Sequence, residues 1–185
     1  MPDTTGRLDP LHWGEGAIVF EMFLEPTCPF SYRAFRKIDA LLDLVGRDRL
    51  TVKVRLHSQP WHMYSPVITR AILAASTLPE GREAARAVLD AVGRDRDDFE
   101  FTDHATGPNR DATPNDIIAR SEERSGLTLT VAFDTANLDA ELRWQTKYSR
   151  QNGIHVSPTF MIDGLVAADL SSGDPAEKWA ERILS

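Results

Sequence analysis

Residues Ala17 to Leu24 read AIVFEMFL, apolar at every position except Glu21. A run this short and this continuous predicts a strand covered on both faces, because a strand with one wet face alternates with period two. Pro26 and Pro29 end it. Phe35, Ile38, Leu41, Leu42 and Val45 then recur at helical spacing, so Phe30 to Val45 is expected to be one helix, stopped by Gly46. From Leu50 to Leu56 the pattern alternates, with Leu50, Val52, Val54 and Leu56 on one face and Thr51, Lys53 and Arg55 on a more exposed one. Strand, helix and strand in this order predict a parallel pair joined by a right-handed crossover, which restricts the chain to an α/β architecture.

The middle of the chain reads as helical. Ser65-Pro66 looks like an N-cap with proline at the first helical position, opening Val67 to Ser76. Helices are also expected over Glu80 to Val92, from Thr113-Pro114-Asn115-Asp116 onward, and over Asp134 to Asn152, which Gly153 stops. The charged stretch from Gly93 to Pro108 reads as a solvated loop. The end returns to β structure, with Thr159 to Ile162 and Leu165 to Ala168 flanking Asp163-Gly164, a two-residue hairpin signal. Asp174-Pro175 then caps a last helix in which Trp179 and Ile183 share a face. The expectation is one α/β domain over residues 1–185, with a helical insertion over about residues 64–152.

Composition narrows the function classes. A chain of 185 residues buries about 70% of its unfolded surface and needs no staple. Its 21 Lys and Arg against 28 Asp and Glu give a formal net charge of -7, which argues against a nucleic-acid surface. No apolar run is long enough for a membrane span. The single cysteine excludes an intrachain disulfide and a Cys-rich zinc site. The start, Met1 to Trp13, is polar and acidic and lacks the pattern of a signal peptide, so the protein is expected to be cytoplasmic. Oligomeric state is not legible.

That cysteine, Cys28, lies in Pro26-Thr27-Cys28-Pro29-Phe30-Ser31, between the buried strand and the next helix. First-turn amides and the helix dipole favour a thiolate there, and thiolate is the nucleophilic form. Inert packing is the competing reading, since cysteine is among the most buried residue types. Topology favours chemistry. With parallel strands, Cys28 and the loop His57-Ser58-Gln59-Pro60-Trp61-His62 share one sheet edge, and an antiparallel Thr159 strand would bring Val156-Ser157-Pro158 to it. Open α/β sheets place ligands at such an edge. It offers Pro29, Phe30, His57, Trp61, His62, Ser157 and Pro158 to a bound partner.

Cys28-Pro29-Phe30-Ser31 at a helix start, with Ser157-Pro158-Thr159 before a terminal hairpin, resembles the thioredoxin superfamily. The helical block between the strands is similar to that of its DsbA-like branch. The resemblance implies a thioredoxin-like fold, a cis Pro158 beside Cys28, and Ser157 backbone groups facing a bound peptide or thiol. Disulfide oxidases and reductases of that branch carry a second cysteine where this chain has Ser31. Cys28 is therefore expected to form a mixed disulfide with a protein or glutathione substrate, to be resolved by an external thiol. Ser31 is the second catalytic candidate, either bonding the Cys28 sulfur or bonding backbone.

The same segment resembles kappa-class glutathione transferases and hydroxychromene carboxylate isomerases, in which Cys28 would take the place of a thiol-activating serine and bound glutathione would supply the sulfur. A non-catalytic thioredoxin-fold binding protein is the third reading. The implied partners are a thiol or disulfide substrate, with glutathione as possible co-substrate and no tightly bound cofactor. His57 and His62 are candidate acid–base groups or partners of the thiolate, or else histidines bonded to backbone in a packed turn. Without a carboxylate near them in sequence, and with His104 and His155 scattered, no metal site is expected. Trp61 either walls a pocket or plugs the core. Glu25 is either solvated or, if buried near the thiol, opposes its ionisation.

Overall fold

A computed structural model describes residues 9–102, 106–134 and 138–185. Strand β1 (His12–Trp13) is followed by β2 (Ile18–Leu24), helices α1 (Pro29–Phe35) and α2 (Ile38–Val45), and β3 (Leu50–Leu56). Helices α3 (Ser65–Ala75), α4 (Arg82–Arg94), α5 (Pro114–Ser125), α6 (Thr130–Phe133) and α7 (Leu138–Gln151) come before β4 (Thr159–Ile162), β5 (Leu165–Val166) and α8 (Ala176–Leu184). The sheet order is β1-β3-β2-β4-β5. β2 and β3 are parallel, with Leu24 opposite Leu56, so both end at the same edge. β4 runs antiparallel to β2, with Thr159 opposite Phe23, and its start meets that edge. This is the thioredoxin-like sheet with helices inserted between β3 and β4.

β2 is central because both its faces have partners. Phe20, Met22 and Leu24 join the main core, while Phe23 packs with Ile154 and Met161 on the other side. Phe20 stacks on Phe160 and also meets Trp179 of α8, which is fully buried. Burial of an aromatic of this size contributes about 2–3 kcal/mol. The interruption at Glu21 is a buried charge pair, with Arg55 Nε donating to Glu21 Oε1 at 2.7 Å. Arg55 is thus 5% exposed, against the expectation of an exposed face.

Several boundaries differ from the sequence reading. Phe30 to Val45 is two helices rather than one, broken at Arg36 and Lys37, where the Lys37 ammonium turns to carbonyls of Ser172 and Asp174. Ser65 is inside α3, and Tyr64 holds the N-cap position. α4 starts and ends two residues later than expected, at Arg82 and Arg94. α5 has the expected cap, Thr113 and Asp116 forming a capping box. Pro175, not Asp174, is the N-cap of α8, while Asp174 accepts from the Ser171 amide. The hairpin turn places Asp163 at φ 47° and Gly164 at φ 81°, as the two-residue signal requires. β1 was not legible because two residues carry no period.

The stretch from Gly93 to Pro108 is not a solvated loop. It contains a 3-10 turn at Arg96–Asp98, Phe99 is 1% exposed, and Tyr64 closes over Phe101. Of its charged residues, Arg96 and Glu100 turn toward the site, while Arg94 and Asp97 are exposed. His104 lies outside the described residues.

Candidate active site at the β2–α1 turn

Cys28 is the N-cap residue of α1, with Pro29 at the first helical position. Its backbone is extended because the chain leaves β2 and turns at the Glu25 carbonyl, which accepts the Cys28 amide at 3.2 Å. Cys28 is 7% exposed, and Sγ donates to the Ser157 carbonyl at 3.8 Å. The Ser157–Pro158 peptide bond is cis. The first-helix turn and the loop before β4 therefore meet at the sulfur, although Ser157 follows Cys28 by well over half the chain. Pro29 and Phe30 are exposed on the outer side of the turn, as is Val156.

Ser31 is buried, and its hydroxyl accepts the Glu25 amide at 3.2 Å. Ser31 thus shapes the turn through backbone, the second of its two expected roles, by accepting the Glu25 amide rather than bonding the Cys28 sulfur.

Beneath the turn lies an ionic cluster. Glu25 is fully buried rather than solvated. Its Oε2 accepts the Thr27 amide at 2.8 Å and lies 3.4 Å from His62 Nδ1. His62 Nδ1 also donates to Glu100 Oε1. Thr27 Oγ1 lies 2.8 Å from Glu25 Oε2 and 2.9 Å from His62 Nδ1, and it also reaches Glu100. Arg96 closes the outer side, with Nη2 2.5 Å from Glu100 Oε2 and Nε donating to the Thr27 carbonyl at 3.0 Å.

The charges in this cluster move apart. Burial pushes the Glu25 carboxyl above its ordinary value, and His62, Ser65 and Thr27 offset this only in part. Among the described residues, Glu25 Oε1 and Ser65 Oγ nevertheless have no hydrogen-bond partner. Burial works against the His62 charge, but the hydrogen bond to Glu100 and the charges of Glu25 and Glu100 outweigh it, and His62 is raised. Burial likewise opposes the Glu100 charge, but bonds from His62 and Thr27 and the positive charges nearby hold it low. His62 is thus engaged by carboxylates and not by the thiol.

His57 is a different case. Burial lowers it, with His155 and Arg150 acting in the same direction, so it is neutral at physiological pH. Its backbone amide donates to the Leu24 carbonyl at 2.8 Å, which fixes the loop to the end of β2. Trp61 is 67% exposed, so it neither walls a closed pocket nor plugs the core.

The expectation that no carboxylate stands beside the histidines is corrected by the fold. Glu25, His62 and Glu100 each place a possible ligand atom within 4.8 Å of the others. Thr27 and Arg96 already bond to these side chains, so the group is held together as an ion-pair cluster. Sequence reasoning missed Glu100 and Arg96. The one signal for them was Phe99-Glu100-Phe101, two aromatics in a stretch otherwise too charged to pack.

No protein-family model and no curated protein matches the chain. Solved structures do. A Pseudomonas syringae protein provisionally named a protein-disulfide isomerase is 60% identical, at TM-score 0.92, over 95% of this chain and 98% of that one. DsbA2 of Pseudomonas aeruginosa shares the fold at TM-score 0.67 and 16% identity, over 97% and 96% of the two chains. A periplasmic thioredoxin-like protein from Salmonella enterica serovar Typhimurium shares it at TM-score 0.63 and 15% identity, over 94% and 87%. The last comparison overturns the cytoplasmic expectation: the fold is shared with a periplasmic protein. The expectation had rested on a polar start, which a mature exported chain has as well. Among the described residues, no helix is long and apolar enough to cross a membrane.

Proposed function

Since the chain belongs to the DsbA-like branch of the thioredoxin superfamily, we propose that this oxidoreductase works through a monothiol cycle on Cys28. The observation that carries the reading is the contact between the Cys28 thiol and the Ser157 carbonyl beside cis Pro158, at a turn where the second cysteine position is Ser31. The Cys28 thiolate attacks one sulfur of a substrate disulfide. A bond forms between Cys28 Sγ and that sulfur, the substrate S–S bond breaks, and the departing thiolate takes a proton from water. The Ser31 hydroxyl cannot attack this mixed disulfide as a thiol would. An external thiol does so, releasing the Cys28 thiolate and supplying the electrons.

The surroundings fit a substrate that arrives from outside. Phe30, two residues after Cys28, is 53% exposed, Val156, next to Ser157, is 62% exposed, and Trp61 in the loop after β3 is exposed as well. Incubating the native protein with hydroxyethyl disulfide, a neutral probe, tests the cycle by mass spectrometry. One adduct is expected, on Cys28, removed by an added thiol and absent in Cys28→Ser. An absence of adduct until the protein is unfolded would overturn the reading.

A further inference from the structure

A groove of about 840 Å³ lies between the loop after β3 and helix α7, outside the ionic cluster. Ser58, Pro60 and Pro66 form one wall. α7 forms the other and contributes Arg143, Lys147 and Arg150, and among the described residues no acidic side chain lines the space. These positions follow each other by four and three residues, so they share one face of the helix. The first and last are about 10 Å apart along the axis.

These three cations stand together along one face of α7. The chain carries a formal net charge of -7, and Arg70, Arg86, Arg96 and Arg182 are each ion-paired. The side chains of Arg143, Lys147 and Arg150 have no such partner among the described residues. A groove with three unspent positive charges in an acidic protein is complementary to an anion.

The groove is linked to the thiol through the loops after β3 and before β4. Arg150 is close enough to depress the charge of His57. Gln59, between the groove residues Ser58 and Pro60, donates from Nε2 to the His155 carbonyl at 3.2 Å. Two residues on, the Ser157 carbonyl accepts the Cys28 thiol.

We propose that this groove binds the external thiol of the Cys28 cycle, and that this thiol is a small peptide with two carboxylates, as in glutathione. The proposal rests on the monothiol reading and names its partner. An extended tripeptide spans about 10 Å, matching the cation spacing, and the groove volume lies within the range of ligand sites. Cys28 accepts the glutathionyl sulfur from a substrate's mixed disulfide, and the substrate leaves as thiolate. A second glutathione thiolate attacks the glutathionyl sulfur, the Cys28 thiolate departs, and glutathione disulfide is released. Two glutathionyl sulfurs are joined for each substrate disulfide reduced.

The test compares the native chain with R143Q/K147Q/R150Q, all at exposed positions. The readout is the ratio of Cys28 adduct formation with oxidised glutathione to that with hydroxyethyl disulfide, and the triple variant is expected to lower it roughly ten-fold. An unchanged ratio overturns the assignment. Calorimetric binding of oxidised glutathione is measured in parallel on Cys28→Ser with and without the triple substitution. Binding that weakens roughly ten-fold with the charges removed supports the groove even if Cys28 proves unreactive. No binding to Cys28→Ser, or binding indifferent to the three charges, overturns the groove alone and leaves the monothiol cycle to its own test.

Discussion

His62 Nδ1 lies 3.4 Å from Glu25 Oε2, so a histidine from the loop after β3 sits against a fully buried carboxylate from the end of β2. Glu100 approaches the same nitrogen from the stretch after α4. One side chain thus ties together the sheet edge, the helical insertion and the turn that carries Cys28. Its charge state governs how firmly they are held.

The pH dependence of His62→Gln is expected to show this. His62 is raised above its ordinary value of 6.5, so its contribution to stability is fully present below that value and is lost as pH rises through the folded pKa. Removing it also leaves two carboxylates facing each other. Urea unfolding is expected to show a loss of about 2–4 kcal/mol near pH 6 that shrinks markedly toward about pH 9. A loss of equal size at both pH values would mean that His62 acts by packing and not by charge.

The pair Glu21 and Arg55 makes a second test, within the sheet itself. Arg55 bonds Glu21 at 2.7 Å and Asp9 at 2.6 Å, and both Arg55 and Glu21 are nearly inaccessible. Arg55→Ala strands the Glu21 carboxylate in the core and is expected to cost about 3–5 kcal/mol. Arg55→Met with Glu21→Gln is expected to recover much of that loss, because no uncompensated charge remains. Equal losses in the two proteins, by chemical denaturation, would show that the pair's charge is not what the interior penalises.

Gly93 of α4 faces the Tyr32 ring of the first helix. A Cβ there would lie 2.2 Å from the Tyr32 ring, whose hydroxyl donates to Asp90 at 3.0 Å. Gly93→Ala is expected to destabilise the protein by about 1–3 kcal/mol, because the ring or the helix must move. Adding Tyr32→Ala is expected to cost less than the sum of the two single changes, since the clash and the ring are removed together. Strict additivity in the denaturation energies would place the strain elsewhere.

Much of this protein is visible without coordinates. The unbroken Ala17 to Leu24 run, the alternation from Leu50 to Leu56 and the Asp163-Gly164 turn predict the parallel pair and the hairpin, because burial and turn geometry act on neighbouring residues. Cys28, Pro29, Ser157 and Pro158 were also legible, since strand direction alone sends their segments to one edge. The break at Arg36 and Lys37 was not, because Lys37 answers to carbonyls at Ser172 and Asp174.

Only the tertiary structure decided the electrostatics of the site. Nothing local in Glu25, His62, Glu100 or Arg96 says that they meet. The same holds for Arg143, Lys147 and Arg150, whose helical spacing is written in the chain but whose lack of an ion-pair partner among the described residues is not. Hydrophobic periodicity is a property of a segment and can be read from it. Which charges compensate one another depends on distances across the fold, and those exist only once the chain has packed.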